Sequence, residues 1–148
     1  MIKCKLMLCA QAMIVDALSN SISIFSVIEE MHLPSTPGVL VHLNTLCMLE
    51  RDPDDESHPA DIYVEFGMIG SDMQRFPLEV NFEDKFMTRS ISKIQGISIP
   101  APGQLRVALV RDQNVLSSWD IPIIVDSPTV TSQFPIKEPP KTTPSSAN

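Results

Sequence analysis

Between residues 103 and 125 apolar and polar side chains alternate with a period of two. Leu105, Val107 and Leu109 alternate with Gln104, Arg106 and Ala108. Asp112, Gln113 and Asn114 supply turn chemistry, and a second β-rich run with Trp119, Ile121, Ile123 and Val125 follows at once. Successive strand side chains point to opposite faces, so this pattern predicts a β-hairpin with one face in a core.

The same periodicity recurs upstream. Residues 3–13 predict a first strand, with Cys4, Leu6, Leu8, Ala10 and Ala12 facing in. Residues 21–28 alternate Ser with Ile and predict a second. Val39, Val41, Leu43, Thr45, Cys47 and Leu49 share one face of a third, whose other face mixes His42 and Asn44 with Leu40, Leu46 and Met48. Residues 61–69 carry Ile62, Val64, Phe66 and Met68 in alternation, and residues 74–82 carry Phe76, Leu78, Val80 and Phe82. In residues 85–99, Ile91, Ile94, Ile97 and Ile99 change parity, as a bulge would cause. Residues 16–21 and 29–32 are the two places with room for a helical turn.

Turns recur every ten to fifteen residues, and no crossover helix of the length that parallel strands require lies between the strands. The expected fold class is therefore all-β: a single antiparallel β-sandwich, immunoglobulin-like or C2-like, of about seven or eight strands, with a barrel as the lesser option. Pro122 removes a ladder donor, which places the last strand at an edge or a bulge. The sandwich domain spans residues 1–126. Residues 127–148 turn to Pro, Ser, Thr and Lys and predict a disordered tail, because such a segment buries too little apolar surface to offset chain entropy. Its run from Phe134 to Pro140 also has the look of a docking peptide, though without Pro-x-x-Pro spacing.

Composition adds limits rather than a function. A chain of 148 residues with 43% apolar content builds a core without disulfides or a structural metal. The net charge is −7; Lys137, Lys141 and Glu138 give the tail +1, leaving −8 for the body. Arg51, Arg75, Arg89, Arg106 and Arg111 are scattered, so nucleic acid and anionic membranes are not expected partners. Cys4, Cys9 and Cys47 are an odd set and read as reduced thiols of a cytoplasmic protein, with Cys4 and Cys9 on opposite faces of their strand. Met1 to Val15 reads as a first strand rather than a signal peptide, since its apolar stretch before Gln11 is short.

Candidate chemistry is sparse. His32, His42 and His58 each stand alone, without the spacing of a zinc site. Glu50, Asp52, Asp54, Asp55 and Glu56 form an acidic loop that suggests calcium, but Pro53 interrupts it and the glycine of an EF-type loop is absent. Gly96, Ser98 and Pro100 fall short of a nucleophile elbow, which needs a second glycine. Cys47 lies on an apolar strand face, unlike a nucleophile in an electropositive setting. Trp119 shares parity with Val115 and Ile121 and is expected in the core; exposed, it would be a hot spot for a partner. No catalytic, cofactor-binding or metal-ligating residue is assigned, and no cofactor is expected.

The first strand over residues 5–12, Phe25 through the Leu33–Pro34 loop, the strand over residues 39–49, and Pro102–Gly103 leading into residues 105–125 together resemble an uncharacterised family of small bacterial proteins, a domain of unknown function. The resemblance covers most of residues 3–126 and implies a short β-sandwich with no known activity. The expectation is a non-enzymatic bacterial, cytoplasmic protein-interaction module, binding a protein partner or a second copy through an exposed strand edge or the face around His42, Leu46 and Met48. The alternative is a ligand- or calcium-binding β-sandwich using the Glu50 to Glu56 loop.

Overall fold

The computed structural model describes residues 1–54 and 61–126, the side chain of residue 41 excepted. Among them it holds nine strands and no helix: β1 (Ile2–Val15), β2 (Ile22–Val27), β3 (Met31–Leu33), β4 (Gly38–Arg51), β5 (Ile62–Met68), β6 (Gln74–Pro77), β7 (Met87–Ile99), β8 (Gly103–Arg111) and β9 (Asn114–Val125). One sheet has the order β2-β1-β4-β7 and the other β3-β9-β8-β5-β6. Every pairing is antiparallel except that of β3 with β9.

The two sheets share one core. Leu43, Cys47 and Leu49 of β4 and Ile94, Ile97 and Ile99 of β7 meet Ile62 and Val64 of β5, Leu105, Val107 and Leu109 of β8, and Ile121 and Ile123 of β9. Burial at roughly 25 cal/mol per Å² of apolar surface is the main term favouring this arrangement. The β8–β9 hairpin turns at Asp112 and Gln113, both at positive φ (48° and 69°), where a two-residue turn needs left-handed backbone.

Several elements depart from the sequence pattern, each for a local reason. In β1 the register against β4 shifts between Cys4 and Leu6, so Lys5 is an extra residue. Beyond it the parity inverts: Met7 and Cys9 face the core, while Leu6 and Leu8 pair with Met48 and Leu46 on the outer face. Cys4, opposite Leu49, and Cys9, opposite Thr45, therefore share the inner face rather than standing on opposite ones. Residues 29–32 hold no helical turn. Met31, His32 and Leu33 are extended and pair in parallel with Ile123, Ile124 and Val125. Strand β6 stops at Pro77, yet Leu78 and Phe82 stay buried in the following loop.

Parity does change in β7, but without an inserted residue. Leu40 pairs Ile97 and His42 pairs Gln95, so the count is equal on both strands. Gly96, at φ +65°, absorbs the irregularity from its side of the ladder. Its consequence is that Val39, assigned by alternation to the inner face, is 66% exposed. Pro122 lies where expected: β9 has a neighbour beyond β8 only from Ile123 onward, where β3 joins it.

Candidate interaction surface

The β1–β2 hairpin is where the surface becomes unusual. Its turn is closed by Asp16, whose carboxylate accepts from the backbone N–H of Ser19 (2.7 Å) and Leu18 (2.9 Å) and from the Ser19 hydroxyl (2.9 Å). These donors favour the charged form and hold the Asp16 carboxyl below its ordinary range, the Ser19 backbone first. Asn20, at φ +56°, completes the turn, as Asn can at little steric cost. At the other end the hairpin is tied down: the Ile28 N–H donates to the Cys9 carbonyl at 2.9 Å, and the Trp119 indole N–H donates to the Ile28 carbonyl at 2.7 Å.

Between these ends the hairpin leaves its sheet. β1 pairs with β4 only as far as Ala10, where the Asn44 side chain donates to the Gln11 carbonyl. From there β1 pairs with β2 alone. The tip then reaches Arg89 of β7, which donates to the Asn20 backbone carbonyl and, at 2.6 Å, to its side-chain oxygen. Arg89 pairs with Met48 on the outer face, and β4 lies between β1 and β7. The hairpin is therefore an arm that crosses the outer face of its own sheet.

That crossing redraws the expected contact face. Leu46, flanked by Leu8 and Ile91 on the outer face, is only 2% exposed, although it stands apart from the shared core. Met48 is half-buried and His42 exposed. The three do not form an open apolar face. The arm itself takes that role: of the fifteen large apolar side chains exposed among the described residues, six lie on it, namely Ile14, Val15, Leu18, Ile24, Phe25 and Val27. Phe25 and Ile14 are 49% and 59% exposed.

Strand β2 is also an open edge, and an unguarded one. Natural sheets blunt their edges with charge, proline or short length, because unpaired backbone groups recruit other strands. Here β3 has three residues, β6 carries Arg75 and Pro77, β7 carries Arg89 and Lys93, and β9 carries Asp120 and Pro122. Strand β2 reads Ile-Ser-Ile-Phe-Ser-Val, with neither charge nor proline.

A cleft of about 490 Å³ opens beside the foot of the arm, lined in part by Val27, Met31, Leu40, His32 and His42. His32 lies between two carboxylates, with Asp126 Oδ1 at 2.8 Å from Nδ1 and Glu30 Oε1 at 3.1 Å from Nε2. Asp126 first, then Glu30, raises the His32 pKa above its ordinary value. Together with the Asp126 N–H donated to the Leu33 carbonyl at 3.0 Å, this clamps β3 to the end of β9.

The other candidate residues are dispersed. Cys9 and Cys47 are buried free thiols, and desolvation pushes them up to about 11 and about 12, away from thiolate chemistry. Cys4 is half-buried and donates to the Leu6 carbonyl at 3.3 Å. In the acidic loop, Glu50 pairs with Lys5 at 3.3 Å, and Asp52 with the terminal amine of Met1 at 2.9 Å and Lys3 at 3.7 Å. Asp55, Glu56, His58 and the tail with its segment from Phe134 to Pro140 lie outside the described residues. Among the described residues no group of three or more His, Cys, Asp or Glu is placed to hold a metal ion, and no helix is long and apolar enough to cross a membrane. Trp119 is half-buried, packed on the core and hydrogen-bonded, which leaves it little freedom as a hot spot.

The arm was invisible to alternation, which marks both of its strands without saying that they depart from the sheet. The absence of charge along residues 17–28 was the available signal. No family model matches the chain, and a search of curated proteins finds no match either.

Proposed function

We propose that this protein is a non-enzymatic interaction module that binds a protein strand along the free edge of β2. The observation that carries the reading is the contrast between β2 and every other edge. Among the described strands it alone joins an uncharged, proline-free strand to a set of exposed apolar side chains. Strand addition would satisfy the open N–H and C=O groups, while Phe25, Val27 and Ile14 would supply apolar contact and selectivity. The two sheets around one core support an immunoglobulin-like or C2-like sandwich as the carrier, and the three free thiols support a cytoplasmic setting.

A photo-cross-linking amino acid placed at Phe25 tests this in cells of the native host. The expected result is a discrete protein adduct that disappears when Ser23→Lys is added to the edge. A smear of adducts unaffected by Ser23→Lys, or no adduct at all, would remove the reading. Circular dichroism of the purified variants checks that they remain folded.

A further inference from the structure

We infer that the strand received by β2 is the β2 of a second copy of this chain, paired antiparallel about a two-fold axis. This rests on the edge reading above. Charge selects the occupant first. Residues 17–28 carry no charged side chain, although 20% of the whole chain is charged and its net charge is −7. A basic partner would find no carboxylate along this edge to pair with. Two identical acidic chains, by contrast, can approach here without setting like charges opposite one another. Of the carboxylates at the ends, Asp16 is engaged by its own turn and Glu30 by His32, while the exposed Glu29 lies beyond β2.

Shape selects it second. In an antiparallel pair, residues directly opposite share a face. With the axis at Ile24, Phe25 of one copy lies opposite Ser23 of the other, large against small. Within each copy Ser23 pairs with Ile14, so the Phe25 ring extends over Ser23 toward the exposed Ile14 beside it. The small Ser23 leaves room for the ring of the opposed Phe25. The same contact occurs twice, as the symmetry of an isologous interface requires.

Area is the third support. The six exposed apolar side chains of the arm present on the order of 500 Å² per copy, at the upper end of what a monomer leaves open. Phe25, Val27 and Ile14 lie on one face of the arm, Ile24 and Val15 on the other and Leu18 at the tip, so a second copy paired along β2 covers the Phe25 face and adds a backbone ladder. Leu18, 99% exposed at the tip, is an apolar side chain that the isolated copy leaves in water.

Light scattering on the purified full chain, at concentrations up to the high micromolar range, should give twice the chain mass. Ser23→Lys, or Phe25→Lys, should return the single-chain mass with the circular dichroism spectrum unchanged. Under mild oxidation Ile24→Cys, which lies on the axis, should cross-link to its copy faster than Ile22→Cys, which does not. The distance between directly opposed strand residues suits a disulfide. A chain that stays monomeric while the Phe25 photo-adduct forms with another protein overturns the second copy and leaves the edge reading intact. A dimer that survives both lysine variants forms elsewhere and overturns the proposal. Equal or slower cross-linking at residue 24 overturns the pairing axis.

Discussion

A valine and a leucine four positions apart on β4 show how unevenly single residues contribute. Leu43 is fully buried among side chains of both sheets, whereas Val39 is mostly in water. Leu43→Ala removes buried methyl groups and leaves a cavity, so it should cost about 2–5 kcal/mol. Val39→Ala should stay within about 0.5 kcal/mol, as exposed substitutions do. Urea unfolding of the two variants measures the difference directly; equal losses would place both side chains on the same face. Alternation alone assigns the two residues to one face. The reversal falls where the ladder between β4 and β7 is interrupted, between Leu40 and His42 and opposite Gly96, a feature of the pairing that the sequence of β4 does not contain.

At the scale of elements, short β3 is held by three ladder positions with β9 and by a charged clamp. His32 gains two carboxylate partners on folding, and its pKa is raised in the folded chain. Its contribution is therefore fully present below the unfolded imidazole value and is lost as pH rises through the raised folded value. The β3–β9 contact should loosen on the alkaline side of that transition. Amide exchange at Met31 and Leu33, corrected for intrinsic rates, should speed up there in the native chain. In His32→Gln this pH dependence should vanish; if it persists, another group holds β3. His32 and Asp126 are far apart in the chain, which is why residues 29–32 read as a possible site for a helical turn. Only the parallel alignment with β9 makes that stretch extended. The arm has the same origin: β1 and β2 are legible as strands, but their departure from β4 is fixed by the Gln11–Asn44 and Asn20–Arg89 contacts.

For the whole molecule, one core shared by two sheets implies one unfolding transition. Trp119 is the only tryptophan and lies in the sheet opposite Leu43. Its fluorescence and the far-UV circular dichroism should therefore report the same denaturation midpoint, and Leu43→Ala should shift both equally. Separate midpoints would show that the sheets fold independently. The surface divides less evenly than the core. Three outer strands carry charge or proline, β3 is held short, and the arm is left apolar. That asymmetry leaves β2 as the one edge among the described strands with neither charge, proline nor short length to blunt it.

The amino-acid pattern alone was enough for the all-β class, the positions of most strands, the β8–β9 turn and the inner faces of β5 and β8. Each of these follows from neighbours in the chain, because the strand period is a local property of the backbone. The Lys5 bulge, the parity of β1, the β3–β9 pairing, the burial of Leu46 and the course of the arm arose only in the folded molecule. Each depends on which strands lie side by side, and residues tens of positions apart decide that. The open edge of β2 belongs to both levels: its lack of charge is written in the chain, and its lack of a neighbour is a consequence of the fold.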